Sequence, residues 1–132
     1  MVVDNRYAGA TAGEAKTAAM NIIDKLKEAD GVFAPNESST FGMLLALRQN
    51  NLAGKIKFVG FDTSPPLLEA LQKGEIDGLV AQDPTKMGYE GVKALVNSIR
   101  GKQVPKTVDT GVRLITRENL NSPEIKKLLG PQ

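Results

Sequence analysis

The stretch Lys55-Ile56-Lys57-Phe58-Val59-Gly60-Phe61-Asp62, KIKFVGFD, is an apolar run that stops on a carboxylate. A short run rich in β-branched and aromatic residues predicts a buried strand over 56–61, and Asp62 cannot share that burial without partners. It therefore caps the next element or faces a bound group. The pattern recurs: GVFAPN ends on Asn36, and GLVAQD ends on Gln82 and Asp83, each after an apolar segment and just before a helical pattern. In an open α/β sheet of parallel strands, ligands bind in the crevice outside the carboxyl ends of the strands. Asn36, Asp62 and Gln82 would bring two amides and a carboxylate to that edge. Such a set offers donors and acceptors for hydroxyl groups, with no nucleophile and no obvious general acid.

The chain has 132 residues, 41% of them apolar, which suits one domain with a real core and leaves no room for a catalytic domain beside a second one. Seventeen basic and 15 acidic residues are spread along it for a net charge of +2, so no basic block or stripe marks a nucleic-acid surface. Cysteine and histidine are both absent. That removes thiolate chemistry, disulfides, the usual zinc ligands and the usual general base at neutral pH, so no catalytic residue, cofactor or metal site is assigned. No apolar run approaches the roughly 18 residues of a spanning helix. The opening MVVDNRY lacks the pattern of a signal peptide, so the chain is expected to be soluble with any export signal outside it.

Working outward from KIKFVGFD, the pattern alternates between strands and helices. Residues 2–4 read as a minimal strand. Thr11-Ala12-Gly13-Glu14 has the spacing of a capping box and opens a helix predicted to run to Glu28, burying Ala15, Ala18, Ala19, Ile22, Ile23 and Leu26. DGVFAPN supplies the next strand, and a helix over 38–50 turns Phe41, Leu44, Leu45 and Leu47 inward. Ser64 followed by Pro65 predicts a helix to Lys73, stopped by Gly74. A strand over 77–81 precedes a helix that Pro84 opens and Gly101 closes, with Met87, Val92, Leu95, Val96 and Ile99 on one face. VDTGVRLIT (108–116) alternates as a strand, and NSPEIKKLLG holds a short capped helix. The fold class is α/β, three layers with a mainly parallel sheet. No dinucleotide GxGxxG follows a strand, and no phosphate-binding GxxxxGK[ST] is present.

Three segments carry a family resemblance: FAPNESSTFGMLLAL, KFVGFDTSPPLLEALQKGEIDGLVAQDPTKMGYEGVKAL and GKQVPKTVDTGVRLITREN. In order and spacing they resemble the ribose, galactose and xylose group of bacterial sugar-binding proteins that feed ABC transporters. The resemblance implies a type I periplasmic-binding-protein lobe, from a fold in which two α/β lobes joined by hinge crossings clamp a sugar between their strand ends. It implies that residues 1–132 form most of the C-terminal lobe, incomplete, with the first lobe absent from the chain. Asn36, Asp62 and Gln82 then fall on the family's sugar-contacting positions. One position departs: YAGATAGE stands where many ribose-type members carry an aromatic, an acid and an arginine, leaving Tyr7, Ala10 and Thr11 as candidates. Tyr7 offers an aromatic face for a sugar, although a lone Tyr in such a loop more often packs inward.

The function so implied is that of the substrate-binding component of an ABC-type sugar importer: a monosaccharide ligand, a membrane permease as partner, a periplasmic or extracellular location, and no enzyme activity. Plain structural alternatives stand beside each site residue. Asn36 and Asp62 suit helix caps or turns, whereas Gln82 has no capping habit. Lys55, Lys57 and Glu37 read as solvated face charges. At the level of the whole protein, the alternative is the effector-sensing domain of a LacI-type transcriptional regulator, whose DNA-binding headpiece would lie upstream. By the resemblance, the Pro84–Arg100 helix belongs with the other lobe, beyond a crossing near Gln82 and Asp83, and VDTGV returns the chain. Alone, that helix should expose Val92, Leu95, Val96 and Ile99, and the sheet should show an unpaired edge, which favours a homodimer.

Overall fold

The computed structural model describes residues 4–130. Its elements are α1 (Ala12–Met20), α2 (Ile23–Glu28), β1 (Gly31–Phe33), α3 (Glu37–Gln49), β2 (Lys57–Phe61), α4 (Pro65–Lys73), β3 (Gly78–Gln82), α5 (Pro84–Ile99), β4 (Val112–Ile115) and α6 (Pro123–Leu129). The strands form one sheet in the order β1-β2-β3-β4. β1 and β2 run parallel with Phe33 opposite Val59, and β2 and β3 run parallel with Phe61 opposite Val80. Parallel neighbours need a crossover, and α3 and α4 supply it. The fold is the expected α/β type, a mostly parallel sheet flanked by helices.

The KFVGF run makes β2 the middle of the core. Phe58 is fully buried among Leu44 and Leu47 of α3, Leu67 and Leu71 of α4, Leu79 of β3 and Ile115 of β4. Each such side chain contributes about 1.5–3 kcal/mol by leaving water. Gly42 lets α1 and α3 approach closely, because a Cβ there would stand 2.5 Å from Ala15 Cβ and 2.6 Å from Ala12 O. Arg48 near the end of α3 forks onto Glu75, with Nε to Oε1 at 3.1 Å and Nη2 to Oε2 at 2.5 Å. At the start of β3, Asp77 accepts from Phe58 N–H at 2.9 Å and from Lys57 Nζ at 2.8 Å. Among the described residues no buried side-chain polar atom lacks a partner.

Several boundaries differ from the expected ones. The helix expected from Thr11 to Glu28 breaks in two at Asn21–Ile22. Asn and paired β-branched isoleucines are weak helix formers, and the Ile22 N–H turns back to Ala19 O at 3.1 Å. Of its expected buried face, Ala15, Ala19 and Leu26 are buried, while Ala18, Ile22 and Ile23 are half-buried. The strand expected over 108–116 is only β4, because Asp109 accepts the Gly111 N–H at 2.7 Å and Gly111 takes φ 77°, a turn that ends extended chain before Val112. The strand expected over residues 2–4 lies outside the described residues but for Asp4, which belongs to no strand.

The chain divides into two compact units. One runs to Ala81 and resumes at Leu114, and it holds the core just described. The other, Gln82–Arg113, holds α5. Asp83 caps α5 by accepting the Lys86 N–H at 2.9 Å, Pro84 takes the first helical position, and no residue of the helix is buried. Val92, Leu95, Val96 and Ile99 are all exposed, as the family resemblance implied. Among the described residues β1 is an edge strand of the sheet, and its Phe33 is exposed.

Candidate functional site

β1 ends at Phe33, and the chain turns through Pro35 into α3 with Asn36 as N-cap. The Asn36 side chain accepts the Ser39 N–H at 2.9 Å and the Ser38 hydroxyl at 3.0 Å, and Ser39 Oγ closes the box on the Asn36 N–H at 3.3 Å. An atom that accepts a backbone N–H must be the carbonyl oxygen, which fixes the orientation of the amide. The Asn36 oxygen is therefore committed to the helix, and its NH2 makes no hydrogen bond among the described residues. The residue singled out at the end of β1 is thus the cap of α3.

Asp62 follows β2 directly and holds φ 66°, a left-handed backbone that few residues other than glycine adopt. Asp and Asn tolerate it best because a short polar side chain can bond locally. Its N–H continues the ladder to Val80 O at 2.9 Å, so the backbone stays in register while the φ change re-aims the half-buried carboxylate. Asp62 is not the cap of α4, since Ser64 holds the N-cap position.

These two strand ends meet in an open cavity of about 450 Å³ lined by Ala12, Asn36, Glu37, Ser38, Phe41 and Asp62. Ala12 comes from the first turn of α1, and the others from the ends of β1 and β2 and the start of α3. Phe41, assigned inward from its spacing, is half-buried and contributes to both the core and the cavity wall. Glu37, read as a solvated face charge, stands on the rim. Sequence spacing missed both, although the signal was present: the first turn of a helix that starts at a strand end faces the same crevice as the strand end. The wall thus presents two carboxylate acceptors, an amide donor, a hydroxyl and an aromatic face, with no lysine or arginine among its lining. Hydroxyl-rich neutral molecules match it.

The remaining candidates are not among the lining residues. Tyr7 is 92% exposed, so it does not pack inward, and it is not part of the cavity lining. Thr11 is the N-cap of α1, with its hydroxyl accepting the Glu14 N–H at 3.2 Å and donating to Glu14 Oε2 at 3.0 Å. Three donors, the Ala10 N–H and both groups of Thr11, converge on that oxygen and hold the Glu14 carboxyl below its usual range. Gln82 is the last residue of β3 and begins the second unit, and Asp83 is the cap of α5. No group of His, Cys, Asp and Glu among the described residues could hold a metal ion.

Acceptors and donors thus gather at the carboxyl ends of parallel strands, the edge at which open α/β sheets bind their ligands. Over residues 1–103 the chain matches the model of the periplasmic binding protein domain, and it belongs to that family. The fructose import binding protein of Bifidobacterium longum is 28% identical over 110 residues, covering 82% of this chain and 33% of that protein. The ribose import binding protein of Escherichia coli is 28% identical over 100 residues, covering 74% and 33%. A carbohydrate transporter solute binding protein from Agrobacterium radiobacter, solved in complex with D-arabinose, matches with a TM-score of 0.87 at 36% identity, over 98% of this chain and 44% of that one. These relatives are binding proteins, not enzymes. The chain spans about a third of the length of the curated relatives.

Proposed function

We propose that this chain forms one wall of the monosaccharide site of a substrate-binding protein serving an ABC-type sugar importer. The cavity carries the proposal: Asn36 and Asp62, picked out as strand-end polar groups, line one crevice together with the aromatic Phe41. A carboxylate accepts from two sugar hydroxyls, an amide NH2 donates to a third, and a phenyl ring covers the C–H face of a sugar ring. Gln82, at the end of the next strand, is assigned to the same ligand, and Thr11 and Tyr7 stand as outer contacts. Residues 1–132 are then most of the C-terminal lobe, a second lobe closes the clamp, a membrane permease receives the sugar, and the protein works in the periplasm or outside the cell.

Ligand-dependent melting tests this directly, because a ligand that binds only the folded state raises the melting temperature by mass action. The protein carrying both lobes is heated with millimolar D-ribose, D-fructose, D-arabinose, D-xylose, D-glucose and D-galactose. A rise with at least one of them, absent with the matching sugar phosphate, is the expected result. No response to any neutral sugar would overturn the proposal. For the chain alone, affinity should be millimolar or weaker, since one wall cannot exclude water from the contacts.

A further inference from the structure

The alternation of β2 leaves one amide without a strand partner. Asp62 N–H bonds to Val80 O of β3 at 2.9 Å, so the alternate residues of the strand, Val59 and Phe61, face β1. Val59 O accepts the Ala34 N–H at 3.1 Å, but β1 has already ended, and no strand carbonyl lies beyond for Phe61. Thr40 of α3 supplies the acceptor instead: its hydroxyl takes the Phe61 N–H at 2.9 Å and donates to Asn36 O at 2.7 Å. A helical Thr bonding the carbonyl four residues back is ordinary. Accepting a strand amide with the same oxygen is not, and it joins two elements through one atom. The side chain is completely buried. The approach also dictates Gly60, where a Cβ would stand 2.2 Å from Thr40 Cγ2 and 3.0 Å from its hydroxyl.

We propose that Thr40 is the positioning residue of the ligand wall: its hydroxyl ties Asn36, after β1, to Phe61, the neighbour of Asp62, and so sets the amide and carboxylate at a fixed spacing. The role rests on Asn36 and Asp62 being ligand groups, as proposed above. Thr40 itself is fully buried and is not among the cavity-lining residues, so its role is to position and not to contact. A discriminating device follows from it. Affinity should depend on the hydroxyl and not on the volume of residue 40.

Two variants of the two-lobed protein separate these. Thr40→Val keeps the shape and removes the hydroxyl, and Thr40→Ser keeps the hydroxyl and removes the methyl. Thr40→Ala replaces the valine variant should that one not fold. Without sugar, amide exchange followed by NMR should show Phe61 exchanging at least about tenfold faster in Thr40→Val, with shifted Asn36 and Asp62 resonances, and little change in Thr40→Ser. With whichever sugar of the panel binds, Thr40→Val should lose about tenfold in affinity, most of it vanishing on an Asp62→Asn background, while Thr40→Ser stays within about threefold. Unchanged exchange at Phe61, equal damage by the serine variant, or wild-type affinity in a folded Thr40→Val protein would each overturn the role of Thr40. Should no sugar bind even the wild type, the proposed function falls, and the exchange measurement still decides whether Thr40 holds the strand ends.

Discussion

The Asn36 oxygen caps α3 and the residue lines the cavity, so Asn36→Ala should lower stability by about 0.5–2 kcal/mol and, with the cavity holding sugar as proposed, weaken sugar binding as well. Asp62→Ala should cost more affinity, because hydrogen bonds to an ionised acceptor contribute about 1.5–3 kcal/mol against about 1 for a neutral one. Gln82→Ala should fall with Asn36→Ala. Calorimetry and melting of the three variants check the ranking, and losses of stability alone would mark all three as structural. Asp77 carries a pH signature. Burial pulls its carboxyl up, but the Lys57 ammonium and the Phe58 N–H together outweigh that and hold it below the usual aspartate range. A carboxyl lowered on folding contributes stability that is complete above its unfolded value and is lost as pH falls through the folded one, so the loss lies below about pH 4. Urea unfolding at pH 6 and pH 3 should show a smaller pH dependence in Asp77→Asn than in the wild type.

The elements were legible where one physical signal dominated. KIKFVGF read as a buried strand because its short run is rich in β-branched and aromatic residues, and Pro65 to Gly74 read to the residue because a proline after Ser64 and a glycine mark the two ends, where the structure starts α4 at Pro65 and gives Gly74 φ 76°. Local bonds defeated the pattern elsewhere. The Asp109–Gly111 turn is a side-chain-to-backbone bond invisible to hydrophobic alternation, and it shortened β4; the Asn21–Ile22 break sits inside an apolar face that looked continuous. The polar strand ends were visible in the sequence, but the cavity was not, since Ala12 and Phe41 reach it only through the packing of α1 and α3. That packing turns on Gly42. Gly42→Ala would drive a methyl into Ala15 and the backbone of α1, so a loss of about 1–3 kcal/mol is expected from chemical denaturation, whereas Gly88→Ala, with open space around it, should be neutral or stabilising.

At the scale of the molecule, the second unit spans the segment that the family resemblance assigns beyond a hinge crossing, 82–113. Its helix buries nothing, and Val92, Leu95, Val96 and Ile99 form an apolar stripe that needs a cover. Under the proposed two-lobed architecture, the other lobe would provide it. The chain alone should find a second copy, through α5 or the outer edge of β1, and light scattering at micromolar concentration should report a dimer that Val92→Glu with Leu95→Lys returns to monomer. A strictly monomeric wild-type chain would contradict this. Whether the strand-end crevice holds the sugar, as proposed, is read out by titration calorimetry of the two-lobed protein, wild type against Asp62→Ala. The expected result is saturable binding of one neutral monosaccharide by the wild type and a loss of at least about tenfold in the folded variant. Equal affinity in both would contradict it.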